Sequence, residues 1–78
     1  MAFEMLTSGF VTLKVFDLLG REIQTLVDEE MPSGVYSVRW NGETDNGQSA
    51  PSGMYFVRMV VAANGKQFSE VRKLMLLK

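Results

Sequence analysis

Three small groups of side chains lie close enough in the chain to act together. Ser33, Ser49 and Ser52 offer hydroxyls in turn-like stretches. A serine nucleophile needs a neighbouring base to take its proton, and the chain contains no histidine. Glu43 and Asp45 could serve as a carboxylate pair for glycoside hydrolysis, but they sit two apart in one loop and nothing places them on either side of a substrate. Asn41, Glu43 and Asp45 also alternate oxygen donors like the start of an EF-hand loop. That pattern then fails, because its sixth position is Asn46 rather than glycine and its twelfth is Ser52 rather than glutamate. Side chains bonding their own loop backbone as Asx turns is the plainer reading, although such loops can gather carbonyls around calcium. Tyr36, Trp40 and Tyr55 could form an aromatic platform for a sugar, but their period-two placement favours burial. The sequence therefore predicts no catalytic residue, no metal ligand and no cofactor.

The elements that would carry these groups are strands. At 78 residues the chain has room for one domain. A chain of that length buries only about 60% of its extended surface. There is no cysteine, so neither a disulfide nor a thiolate metal site can reinforce the fold. The net charge is −1 and the cations are scattered, which argues against nucleic acid. No apolar run reaches the roughly 18 residues of a membrane span. The N-terminus does not read as a signal peptide, so any export signal is expected elsewhere.

Two stretches repeat each other. Pro32–Trp40 is P-S-G-V-Y-S-V-R-W and Pro51–Met59 is P-S-G-M-Y-F-V-R-M. Each reads as a turn feeding a strand: proline fixes φ, glycine permits positive φ, and β-branched and aromatic residues follow. The 19-residue offset maps Tyr36, Val38 and Trp40 onto Tyr55, Val57 and Met59. Both units thus select the same face for the core, and Trp40 is expected between the sheets. Two copies are too few for a solenoid.

Residues 2–7 alternate weakly, with Phe3 and Met5 on one face of an edge strand. Residues 10–16 form a clearer strand, with Val11, Leu13 and Val15 inward and Phe16 partly covered on the other face. Asp17-Leu18-Leu19-Gly20 has the residues of a type I turn. After it Ile23 and Leu26 are three apart, which fits either one turn of helix or a strand with a bulge that turns both inward; the β-branched neighbours favour the strand. Asp28-Glu29-Glu30 is expected to end that strand as a solvated loop. Asn64-Gly65 suits a type I′ hairpin. A two-residue loop pairs Val61 with Phe68 and Tyr55 with Leu74, but sets Met59 against Glu70 and Val57 against Arg72, which calls either for a bulge near 69–71 or for a different loop length. The last strand, R-K-L-M-L-L-K, reads as covered on both faces. Six or seven strands without a helix give an all-β fold, an antiparallel β-sandwich of the immunoglobulin or fibronectin III kind.

The segments V-T-L-K-V-F-D-L-L-G-R-E-I, P-S-G-V-Y-S-V-R-W-N-G, P-S-G-M-Y-F-V-R-M and R-K-L-M-L-L-K, in this order, resemble an immunoglobulin-like domain shared by two groups. One is the flagellar hook-capping protein; the other is the type A C-terminal sorting domain of the type IX secretion system. The sorting resemblance implies a non-enzymatic C-terminal module, residues 1–78, of a longer protein. That protein would be secreted or held at the cell surface by way of the periplasm. Its partners would be the outer-membrane secretion machinery and an upstream cargo domain. By motif match, Pro51, Gly53 and Tyr55 fall in the family's P-x-G-x-Y element, and Lys73 and Lys78 flank a terminal apolar strand that includes Leu74 and Leu76. An N-P-rich segment usual in that family is missing from residues 1–6. Sorting and anchoring is the function expected on this resemblance; the alternative is an immunoglobulin-like structural spacer or interaction module of a cell-surface enzyme or of a hook-cap-type scaffold protein.

Overall fold

The computed structural model describes residues 1–77. Among them are six strands and no helix: β1 (Ala2–Met5), β2 (Gly9–Phe16), β3 (Glu22–Met31), β4 (Gly34–Ser37), β5 (Gly53–Ala63) and β6 (Lys66–Leu76). They form two antiparallel sheets, β1-β4 and β3-β2-β5-β6. The fold is the antiparallel immunoglobulin-like β-sandwich that the strand pattern predicts.

β2 is central because it is apolar on alternate residues and bordered on both sides. Val11, Leu13 and Val15 are fully buried, while Thr12, Lys14 and Phe16 face the other way and are half-buried. The turn after β2 closes as expected: the Gly20 N–H donates to the Asp17 carbonyl at 3.0 Å. The spacing of Ile23 and Leu26 is resolved by two irregularities in β3. Leu13 faces Val27 and Lys14 faces Thr25, so Leu26 is the extra residue; Val15 faces Gln24 and Phe16 faces Glu22, so Ile23 is the second. Both extra residues pack against the core. Two bulges in quick succession bend the strand, and Gln24 Oε1 is left buried without a hydrogen-bond partner.

Three expectations of strand extent and cover need correction, and a fourth concerns the β5–β6 register. Asp28-Glu29-Glu30 does not end β3, which runs through to Met31 with these residues opposite Thr12, Val11 and Phe10. All three are exposed. Charge is compatible with a strand at a sheet edge, where it also discourages pairing with other chains. β4 is shorter than the first repeat and stops at Ser37. Val38 still exchanges backbone hydrogen bonds with Met1, after which the chain turns so that the Trp40 indole N–H can donate to the Glu43 carbonyl at 2.8 Å. The third correction concerns β6, which is mostly exposed rather than covered on both faces.

The hairpin between β5 and β6 explains that last point. Asn64 and Gly65 have φ of 54° and 74°, as a type I′ turn requires. The register runs unbroken from Ala63↔Lys66 to Gly53↔Leu76, with Met59 opposite Glu70 and Val57 opposite Arg72. No bulge corrects the charged pairings, and none is needed. Four strands lie in one sheet and two in the other, so the inner face of β6 extends beyond its cover. Glu70 and Arg72 stay in water there and bond each other, Arg72 Nη2 to Glu70 Oε1 at 3.0 Å. Only Leu74 and Leu76, further along the strand, reach the core.

That core has two parts. Leu13, Val15, Ala50, Tyr55 and Val57 form one, with Val38, Trp40 and Met59 packed against it. Met5, Val11 and Met31 form the other, bordered by Phe3 and Tyr36.

Candidate functional site

The two repeat units build the same local device. Gly34 and Gly53 have φ of 154° and 150°, a region that favours glycine. This backbone lets each tyrosine fold back on its own turn. The Tyr36 hydroxyl donates to the Pro32 carbonyl at 2.6 Å, and the Tyr55 hydroxyl donates to the Pro51 carbonyl at 2.5 Å. A tyrosine at the start of a strand that bonds the backbone a few residues upstream is the tyrosine corner of immunoglobulin-like sandwiches. Tyr55 is 5% exposed and meets Trp40 edge-on at a ring separation of 4.9 Å. Tyr36 is half-buried and stacks on Phe3 at 5.6 Å. The three aromatic residues are thus divided between the two parts of the core, and they do not line up as one platform.

The loop between the units is a small structure of its own. The Asn41 side-chain carbonyl accepts the Glu43 N–H at 3.0 Å, an Asx turn, while its amide donates to Glu43 Oε1 at 2.8 Å. Glu43 bridges to Ser49, the Ala50 N–H donates to the Gly42 carbonyl, and the Gly47 N–H donates to the Thr44 carbonyl. Asp45 leaves the loop to bond β3: its N–H donates to the Ile23 carbonyl, and its Oδ1 accepts the Thr25 N–H, both at 3.0 Å. It thereby satisfies backbone groups that the bulges expose on the outer edge of β3. Asn41, Glu43 and Asp45 are engaged in hydrogen bonds of the fold, and among the described residues no three metal-binding side chains converge.

The charged groups are local pairs on the surface. Lys14 Nζ lies 2.9 Å from Glu22 Oε1, and that hydrogen bond, with the attraction of the carboxylate, raises the lysine pKa. Asp17 is held below the usual carboxylate range, first by the Arg21 backbone N–H and also by the Arg21 guanidinium and the Leu19 N–H. This cluster fixes the β2–β3 turn. Both pairs border open surface hollows, Lys14 beside Thr12 and Arg58, and Asp17 with Arg21 beside Pro51–Tyr55.

The residues singled out by motif match lie at one end of the β5–β6 ladder. Pro51 is exposed and Gly53 is half-buried, while Tyr55 is buried. Leu74 pairs with Tyr55, and Lys73 with Phe56. Leu74 and Leu76 are half-buried, and Lys73 is exposed. Lys78 lies outside the described residues. An open groove of about 320 Å³ runs between Ser37–Trp40 and Arg72–Leu74, floored by Leu26 and Val57. Of the side chains named from period two, Val11, Leu13, Val15 and Val57 are buried, and Tyr36, Val38, Trp40 and Met59 are half-buried. Period two also missed buried Met31 and Ala50. Met31 ends a strand expected to stop earlier, and Ala50 lies in a loop that offers no periodicity to read.

Two sheets, corner tyrosines at the entry to β4 and β5, and a polar connecting loop define an immunoglobulin-like domain that holds its polar groups for structure. Residues 5–65 match the family described as the FlgD Ig-like domain, and the chain belongs to that family. Over 57 residues it is 32% identical to the basal-body rod modification protein FlgD of Salmonella typhimurium and 33% identical to the protein of the same name from Escherichia coli. Each alignment covers 73% of this chain and 25% of the relative, so the chain spans a quarter of the length of these curated relatives. The family and relatives stand on the hook-cap side of the resemblance.

Proposed function

We propose that the chain is a non-catalytic, immunoglobulin-like scaffold module of a flagellar hook-cap-type protein, acting outside the cytoplasm through contacts with other proteins. Membership of the FlgD Ig-like domain family carries this reading. The physical picture agrees with it. The loop carboxylates and corner hydroxyls are engaged in hydrogen bonds of the fold, while Phe10, Leu18, Phe68, Val71 and Met75 expose large apolar side chains. In cells making the full-length protein, deletion of residues 2–77 should stop hook assembly while the basal body still forms. Hooks of normal length and number would overturn the proposal.

The type IX sorting reading has one structural feature in its favour: Lys73 stands exposed beside the apolar end of β6. It makes a different prediction. Removal of residues 73–78 from a full-length cargo should strand that cargo in the periplasm, and normal secretion would rule the reading out. The position of the domain in the parent reading frame separates the two, because sorting requires a terminal location behind an enzyme or adhesin.

A further inference from the structure

We infer that β6 is the interface for a second copy of this chain, joined edge to edge about a two-fold axis through Val71. β6 is an 11-residue strand at the end of the four-stranded sheet, and among the described residues β5 is its one strand neighbour. Along this strand Phe68 is 60%, Val71 56% and Met75 55% exposed. A long edge strand with apolar side chains and no proline is a template for another strand.

The two-residue hairpin determines which backbone groups are free. A type I′ turn makes Ala63↔Lys66 a hydrogen-bonded pair, and bonded and non-bonded pairs then alternate along the ladder. Lys66, Phe68, Glu70, Arg72 and Leu74 therefore point their backbone groups at β5. Gln67, Ser69, Val71, Lys73 and Met75 point theirs away, toward the open edge. An antiparallel second copy must match these outward residues with one another, which restricts the register to a few choices.

The side chains select among them. With Val71 on the axis, Glu70 of each copy faces Arg72 of the other, twice over. Phe68 faces Leu74, Val71 faces Val71, Ser69 faces Lys73 and Gln67 faces Met75. Moving the axis one residue to Glu70 puts two carboxylates face to face, and moving it to Arg72 does the same with two guanidinium groups. Like charges directly opposite are destabilising. The register centred on Val71 pairs opposite charges along the full length of β6, whereas one centred on Phe68, which sets Glu70 against Lys66, joins only residues 66–70; the Val71 register also covers the exposed apolar side chains. Glu70 and Arg72 already lie side by side on one face of the strand. Contacts of this kind are isologous, as two-fold symmetry requires.

Charge reversal in the 78-residue chain, read by sedimentation equilibrium, tests this directly. The unmodified chain should pass from one copy to two as its concentration rises through about 10–1,000 µM. Glu70→Lys and Arg72→Glu should each weaken self-association by about tenfold or more, since each places like charges opposite. An equimolar mixture of the two variants should recover it, because the introduced lysine meets the introduced glutamate and the native Arg72 meets the native Glu70. Trp40 fluorescence of each variant checks that the fold is intact. Register is read separately by oxidation: Val71→Cys places two thiols at a Cα separation of about 5.5 Å across the axis, within disulfide range. Ser69→Cys places them about 13 Å apart. A chain that stays monomeric over the whole range, a mixture no more associated than its components, or cross-linking of Ser69→Cys as readily as Val71→Cys would each overturn the inference.

Discussion

Pro32–Trp40 and Pro51–Met59 share six residues at matched positions, and the structure gives them the same backbone and different surroundings. Both glycines take φ near 150°, and both tyrosines return a hydroxyl to the proline carbonyl four residues earlier. Beyond the corner they diverge. The second unit continues as β5 between β2 and β6, with Tyr55 and Val57 buried. The first gives a four-residue strand paired only with β1, and its Tyr36 and Val38 stay half-buried. A short run of proline, glycine and tyrosine therefore specifies the turn by itself. How much burial the tyrosine then contributes depends on the number of strands around it, which the run does not encode.

The sharpest way to break that comparison is to remove the rings. Tyr55→Ala deletes a buried aromatic that packs on Trp40 and should cost about 3–5 kcal/mol, a large share of the stability of a domain this small. Tyr36→Ala, at the partly open site, should cost about half as much, as measured by denaturant unfolding followed through Trp40. Equal losses would mean that the two corners are equally buried in solution. Next come the glycines. Gly34→Ala and Gly53→Ala each force a side chain into backbone space that is almost exclusive to glycine, at about 1–3 kcal/mol. Here the two units should behave alike, because the strain is local. Open space surrounds the Cβ position of Gly53, and at Gly34 the closest atom is 3.5 Å away, so steric clash does not confuse the reading.

The smallest effect lies outside both units and serves as a control. The folded pKa of Asp17 is depressed by its Arg21 and Leu19 hydrogen bonds. Its contribution is thus present above the unfolded carboxylate pKa of about 3.9 and is lost as pH falls through the lower folded value. Asp17→Asn should flatten the acid limb of the stability–pH curve below about pH 4 and leave the difference between the two tyrosine sites unchanged. An acid limb as steep as before would show that the turn carboxylate is not the group being titrated.

Much of the fold was legible wherever the chain spoke locally. The three-residue spacing of Ile23 and Leu26 called for a bulge, and β3 contains two. Asn64-Gly65 set the loop length, and the register followed. Where burial depends on what lies across the sandwich, the residues misled. The apolar end of β6 looked covered, yet cover depends on the second sheet having only two strands. Asp28-Glu29-Glu30 looked like a loop because an edge strand tolerates charge as readily as a loop does. The role of Asp45 was hidden for another reason: it bonds Ile23 and Thr25 some twenty residues away, and only the bulges in β3 expose those groups. The resemblance pointed to two groups on the same motifs, and those motifs are the ones that build the shared corners. They record a fold, and they separate neither group's partners from the other's.

The two tyrosine hydroxyls give the most direct test. Tyr55→Phe and Tyr36→Phe keep the rings and remove only the bond to Pro51 or Pro32. Unfolding both variants beside the unmodified chain should show a loss of about 1–3 kcal/mol for Tyr55→Phe, where the Pro51 carbonyl is left without its partner in a partly buried site. Tyr36→Phe should lose about 0.5–1 kcal/mol, since the Tyr36–Pro32 hydrogen bond is exposed and water can replace the hydroxyl there. No loss in either variant, or a larger loss at Tyr36, would contradict the account of one corner used twice at two depths.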